Sequence, residues 1–151
     1  MSHDDEYTVV YGDIVALYVF YWPLHQNLPE CAQCTTGSTI ISEMTRTLRA
    51  VVSINREGQG CRVSSDTHAL LVEVITSLAV IKALLTQCRQ LMWITPGSLA
   101  VLTTHISKIT HCVTGWQQRL IEQNVIPLSE LPRLPSARHS LNIAVGPDNS
   151  I

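Results

Sequence analysis

Apolar residues between Leu99 and Leu120 recur as Leu99, Leu102, Ile106, Ile109, Val113, Trp116 and Leu120, in alternating steps of three and four. That repeat keeps a stripe on one face of an α-helix. Polar Thr103, Lys108, His111, Gln117 and Gln118 fall outside it. The preceding segment carries the same spacing through Leu71, Val74, Leu78, Ile81, Leu85, Cys88 and Met92, widened by Leu70, Ile75 and Leu84. A stripe that broad predicts a long helix over 67–93 at the centre of a bundle. Ile41, Met44, Leu48 and Val51 follow Ser38, a candidate cap, and predict a further amphipathic helix to about Asn55.

The connections are marked by turn chemistry. Glu57-Gly-Gln-Gly60 closes one helix, Val63-Ser-Ser-Asp66 opens the next, and Thr95-Pro-Gly97 precedes Ser98, a second candidate cap. At the amino end Tyr7, Tyr11, Ile14, Tyr18 and Tyr21 step by four and three. A helix is favoured there, although the β-branched and aromatic run Ile14 to Trp22 would also suit a buried strand. Pro23 is expected to stop regular structure, with Pro29 and Thr35-Thr-Gly37 prolonging the break. Beyond Asn124 the periodicity vanishes among Pro127, Pro132, Pro135 and Pro147. The pattern therefore predicts an all-α fold: a four- to five-helix antiparallel bundle over 1–126 and an irregular proline-containing tail over 127–151.

Composition changes this picture in one respect. Charged residues are 15% of the chain against about 25% in an ordinary soluble domain. Too few charges remain to cover the outside, so an apolar surface shared with a protein partner or a second copy is expected. The narrow 98–121 seam is the candidate for such sharing, although a seam inside the bundle gives the same sequence. A net charge of −2 argues against direct nucleic-acid binding, which needs clustered Lys and Arg. The uncharged run Ile14 to Leu24 is too short to span a bilayer, and the acidic opening Asp4-Asp-Glu6 is unlike a secretory leader. These features predict an intracellular protein, nuclear or cytoplasmic, with no membrane association. Five cysteines in such a protein are expected as thiols.

Candidate chemistry is sparse. Cys31-Ala-Gln-Cys34 has the spacing of a thiolate pair for zinc, with Cys61 and His25 as the residues that would complete it. No second pair with ligand spacing exists, so loop or core cysteines and no metal or cofactor are expected. His105 and Cys112 share one helix edge, His111 points elsewhere, and His68 lies beside Asp66 at a helix start; His68, His105 and His111 are the candidate acid–base groups. Tyr11, Tyr18, Tyr21, Trp22, Trp93 and Trp116 are the candidate lining of an apolar ligand pocket, and core packing is the simpler account of them. Pro132-Arg-Leu-Pro135 approximates a polyproline ligand of the kind that tails produce by composition. The chain has no phosphate-binding glycine loop, nucleophile elbow or HExxH.

Residues 31–121 resemble the regulatory domain of fungal aflatoxin-pathway transcription factors. The likeness rests on Ser38 to Ser53, the turn and helix start Cys61-Arg-Val-Ser-Ser-Asp-Thr-His-Ala-Leu-Leu71, the stretch Val80-Ile-Lys-Ala-Leu84 and the run Gln117-Gln-Arg-Leu120. The family's six-cysteine DNA-binding zinc cluster is missing, as are a second cysteine beside Cys61 and an aromatic pair where Leu84-Leu85-Thr86 stands. The resemblance implies a detached regulatory module of secondary metabolism, non-enzymatic and acting through a protein partner or self-association. The alternative is a small helical enzyme or binding protein, isomerase- or cyclase-like, acting on an apolar metabolite such as a polyketide.

Overall fold

The computed structural model describes residues 3–58 and 65–122. The helices are α1 (His3–Gln26), a short α2 (Glu30–Ala32), a π-helical turn (Gln33–Gly37), α3 (Ser38–Gly58), α4 (Ser65–Gln90) and α5 (Pro96–Glu122). The all-α expectation holds. The proline-containing tail, with Pro132 to Pro135, lies outside the described residues, as does Cys61.

The long helices close a ring: α1 packs on α3 and α5, and α4 packs on the other sides of both. Cross-links fix the directions. Glu6 pairs with Arg119, Asp13 with Lys108, and Phe20 packs on His105, so α1 and α5 run antiparallel. Gln117 beside His68 does the same for α4 and α5. The core is one cluster, to which α4 gives Leu71, Val74, Leu78, Ile81, Leu85 and Cys88, and α5 gives Leu102, Ile106, Ile109, Val113, Trp116 and Leu120. The wide apolar face of α4 is divided between α3 and α5, which leaves Val72 and Val80 exposed. By length and composition α4 alone among the described helices could cross a membrane, a property it shares with the core helices of soluble bundles.

Several local expectations give way to packing. Pro23 does not stop α1, because it sits on the outer side of the last turn while Tyr21 and Leu28 anchor that corner in the core. The carbonyl that loses its amide partner there belongs to Val19, on the water side of the helix. The break at Thr35-Thr-Gly37 is instead a π turn, and Ser38 lies in continuous helix at φ −60° rather than capping one. The helix has already begun at Glu30 after Pro29, whose φ of −53° and ψ of 144° place it just outside. A π turn admits one extra residue, and it brings Gly37 against α1: a Cβ there would stand 2.6 Å from Nδ1 of His25. Gln33 ties the corner, its amide donating to the carbonyls of Gln26 and Leu28.

At the other connection Thr95 caps α5, its Oγ1 accepting the Ser98 amide at 3.1 Å, so the cap falls three residues before Ser98. Helix α4 ends two residues before Met92. The Trp93 amide donates to the Cys88 carbonyl and the Met92 amide to that of Arg89, a Schellman ending. Met92 takes the left-handed position, φ 59°, and is 82% exposed, so it leaves the seam it was expected to complete.

Candidate interaction surface

The exposed apolar residues are not spread evenly. Val9, Tyr11, Val15, Tyr18, Val19, Phe20 and Trp22 all lie on α1, between 36% and 64% exposed. Its core side is equally apolar: Val10, Ile14, Leu17 and Tyr21 are buried, in steps of four, three and four. The next residue along from each, Tyr11, Val15, Tyr18 and Trp22, repeats those steps about 100° round the helix. A helix apolar on every side belongs inside a structure, and here the second seam is only partly covered by the bundle, its four residues staying 36–41% exposed. The expected stripe Tyr7, Tyr11, Ile14, Tyr18, Tyr21 straddles both, with Ile14 and Tyr21 inside and Tyr11 and Tyr18 outside.

Aromatic contacts stiffen the outer seam. Tyr18 stacks on Trp22 at 6.1 Å, Trp22 on His25 at 5.6 Å, and Tyr7 lies 5.7 Å from Tyr11. Val19, the most exposed of the seven at 64%, points directly away from the core seam. Around it lie the small exposed residues Thr8, Gly12 and Ala16. A Cβ at Gly12 would meet nothing within 4 Å among the described residues, so no contact with them explains a glycine in mid-helix. Such a residue costs about 1 kcal/mol relative to alanine.

Two of the four acidic residues of α1 are drawn toward α5. Glu6, 7% exposed, pairs with Arg119, whose guanidinium lies across Gly115: a Cβ there would stand 3.3 Å from its Nη1. Asp13 accepts from Lys108 Nζ at 2.8 Å, and this bond raises the lysine's pKa. The outer face between the two seams is left without an ionic group from Ile14 to Leu24.

The candidate acid–base groups do not meet. His68 sits beside Gln117 at one end of the α4–α5 pair, with 3.2 Å between Nδ1 and Nε2. His105 packs on Phe20. His111 is exposed and borders a recess of about 200 Å³ between α1 and α5, lined also by Glu6, Val9, Cys112 and Arg119. The candidate pocket residues are dispersed as well. Tyr21 and Trp116 are buried in the core, Tyr11, Tyr18 and Trp22 are on the outer face of α1, and Trp93 is half-buried beyond α4. Of the six, Tyr18 borders a recess of about 270 Å³ between α1 and α3.

Cys31 and Cys34 are exposed thiols, and His25 is engaged by Tyr21, whose hydroxyl lies 3.2 Å from Nδ1. Among the described residues no group of three or more His, Cys, Asp or Glu converges on a point that could hold a metal ion. Burial pushes the Tyr21 phenol well above its ordinary value, with the nearby Cys88 adding to the shift, and burial also pushes up the Cys88 thiol. A buried neutral phenol and thiol are packing groups rather than proton donors at neutral pH.

The seam of α5, favoured as internal to the bundle and the candidate for sharing only if some seam is shared, is filled from within: all but Leu99 of its seven residues are buried. Sequence reasoning passed over Val19, Phe20, Gly12 and Ala16. The available signal was that α1 carries two apolar seams one residue apart, of which a four-helix ring can use one. No protein family, curated protein or solved structure matches this chain.

Proposed function

We propose that this chain is a non-enzymatic interaction module of the regulatory kind, which docks a protein through the outer face of α1. One observation carries the reading: seven large apolar side chains stand exposed on a helix whose opposite side already fills the core. The described residues leave that surface open, and large exposed apolar patches mark protein contacts. The low charge content of the whole chain supports it. An anionic membrane surface is a poorer fit, because the charged side chains on α1 are Asp4, Asp5, Glu6 and Asp13, with no Lys or Arg. The likeness of residues 31–121 to fungal secondary-metabolism regulators supplies the context, control of a biosynthetic pathway, and the all-α fold is compatible with it.

Val19→Glu is the test. The side chain is 64% exposed, so the bundle itself should still fold. Partner capture by the tagged chain, and metabolite output in a strain carrying the substitution, should both fall at least tenfold. Ala substitutions at His68, His105 and His111 should leave output unchanged. Loss of output with a histidine variant while Val19→Glu behaves as wild type would overturn the reading in favour of catalysis.

A further inference from the structure

We infer that the occupant of this face is α1 of a second copy of the chain, crossing antiparallel with Gly12 of each copy against Ala16 of the other. The inference rests on the interaction-module reading and specifies its partner.

Three observations point to a second copy. First, the seven exposed side chains, with the aromatic ones taken at roughly 150–250 Å² when fully bare and the valines at the low end of that range, present about 600 Å². Val9 and Phe20 lie toward α5, and Val15 and Tyr18 toward α3; a second bundle whose α1 crosses at Gly12 and Ala16 and whose flanking helices reach those sides buries an area approaching the roughly 800 Å² per partner of a stable interface. Second, no described residue comes within 4 Å of a Cβ built on Gly12, and Ala16 lies one turn on, at the middle of a 24-residue helix. Small residues four apart let two helix backbones approach closely, and a crossing at mid-helix buries both arms equally, as a twofold contact requires. Third, charge selects the direction. Parallel copies would bring their acidic first turns, Asp4 and Asp5, together, whereas an antiparallel crossing centred between positions 12 and 16 holds the Asp4 residues about 30 Å apart. Each acidic turn then lies beside the aromatic end of the other helix, near Trp22 and His25.

The test uses the full chain. Sedimentation equilibrium should show a dimer whose dissociation constant rises at least tenfold in Val19→Glu and in Gly12→Leu. The leucine improves helix propensity, so loss of the dimer in that variant cannot be unfolding. A photo-crosslinking amino acid at position 19, in a mixture of isotopically light and heavy copies, should give intermolecular adducts around Val9. Adducts around Val19 itself would overturn the antiparallel arrangement. A wild-type monomer at all concentrations, or a dimer indifferent to both substitutions, would overturn self-pairing. The interaction-module reading fails separately, if Val19→Glu leaves partner capture and metabolite output unchanged.

Discussion

Met92→Gly should make the protein more stable. Met92 occupies the left-handed position of the Schellman ending of α4, φ 59°, where its Cβ crowds the following carbonyl. An L-residue there costs roughly 1–2 kcal/mol that glycine avoids. Its side chain is 82% exposed, so little packing is lost with it. Against the gain stands the greater chain entropy of glycine when unfolded, roughly 0.5–1 kcal/mol. The net expectation is a stabilisation of about 0.5–1 kcal/mol, which for a domain of this size raises Tm by roughly 2–4 °C per kcal/mol. Thermal melting and urea unfolding followed by circular dichroism measure it, with the urea midpoint rising and the slope unchanged. Met92→Ala is the control, since it keeps a Cβ and should stabilise by less than about 0.3 kcal/mol, within ordinary surface variation. Equal stabilisation by both variants would refute the backbone argument and trace the effect to the exposed thioether, and destabilisation by glycine would refute it outright.

Gly37→Ala places a methyl 2.6 Å from the His25 ring and should destabilise by about 1–3 kcal/mol in the same assay. Glu6→Ala leaves the Arg119 guanidinium without its partner in the α1–α5 groove. The expected loss is about 1–3 kcal/mol, less than for a fully buried pair because the arginine side chain is 42% exposed. Stability should also fall at alkaline pH. The Tyr21 phenol has a raised pKa when folded, so its contribution is complete below its unfolded value near 10 and is lost as pH rises above it. Tyr21→Phe should flatten that slope in melts between about pH 9 and 11, where the unfolded phenol titrates.

The sequence spoke most clearly where one seam met one core. The 3,4 spacing of α5 and α4 reads directly into buried residues because a neighbour covers each side of those helices. It misled at the corners, where a residue's usual preference yields to its surroundings. Pro23 stays helical because its turn is anchored by Tyr21 and Leu28, and Gly37 marks a close approach to His25 rather than a break. Met92 has the right spacing for the α4 seam but falls past the end of the helix. The interaction face was half visible: the aromatic stripe of α1 stood out, yet spacing alone does not say which of two adjacent seams the core will take. The aliphatic Val10 and Leu17 went inward with Ile14, and the amphipathic Tyr11 and Tyr18 remained outside, where a hydroxyl can stay hydrated.

Side-chain accessibility of α1 in solution tests the central claim most directly. Hydroxyl-radical footprinting of the full chain, read by mass spectrometry in wild type and in Val19→Glu, compares each residue with itself. If the outer face of α1 is an interface, Tyr11, Tyr18, Phe20 and Trp22 are protected in the assembled wild type and become reactive in the variant, while Met92 is oxidised equally in both. Labelling of those four residues that is the same in both proteins, at concentrations up to the highest attainable, would contradict it.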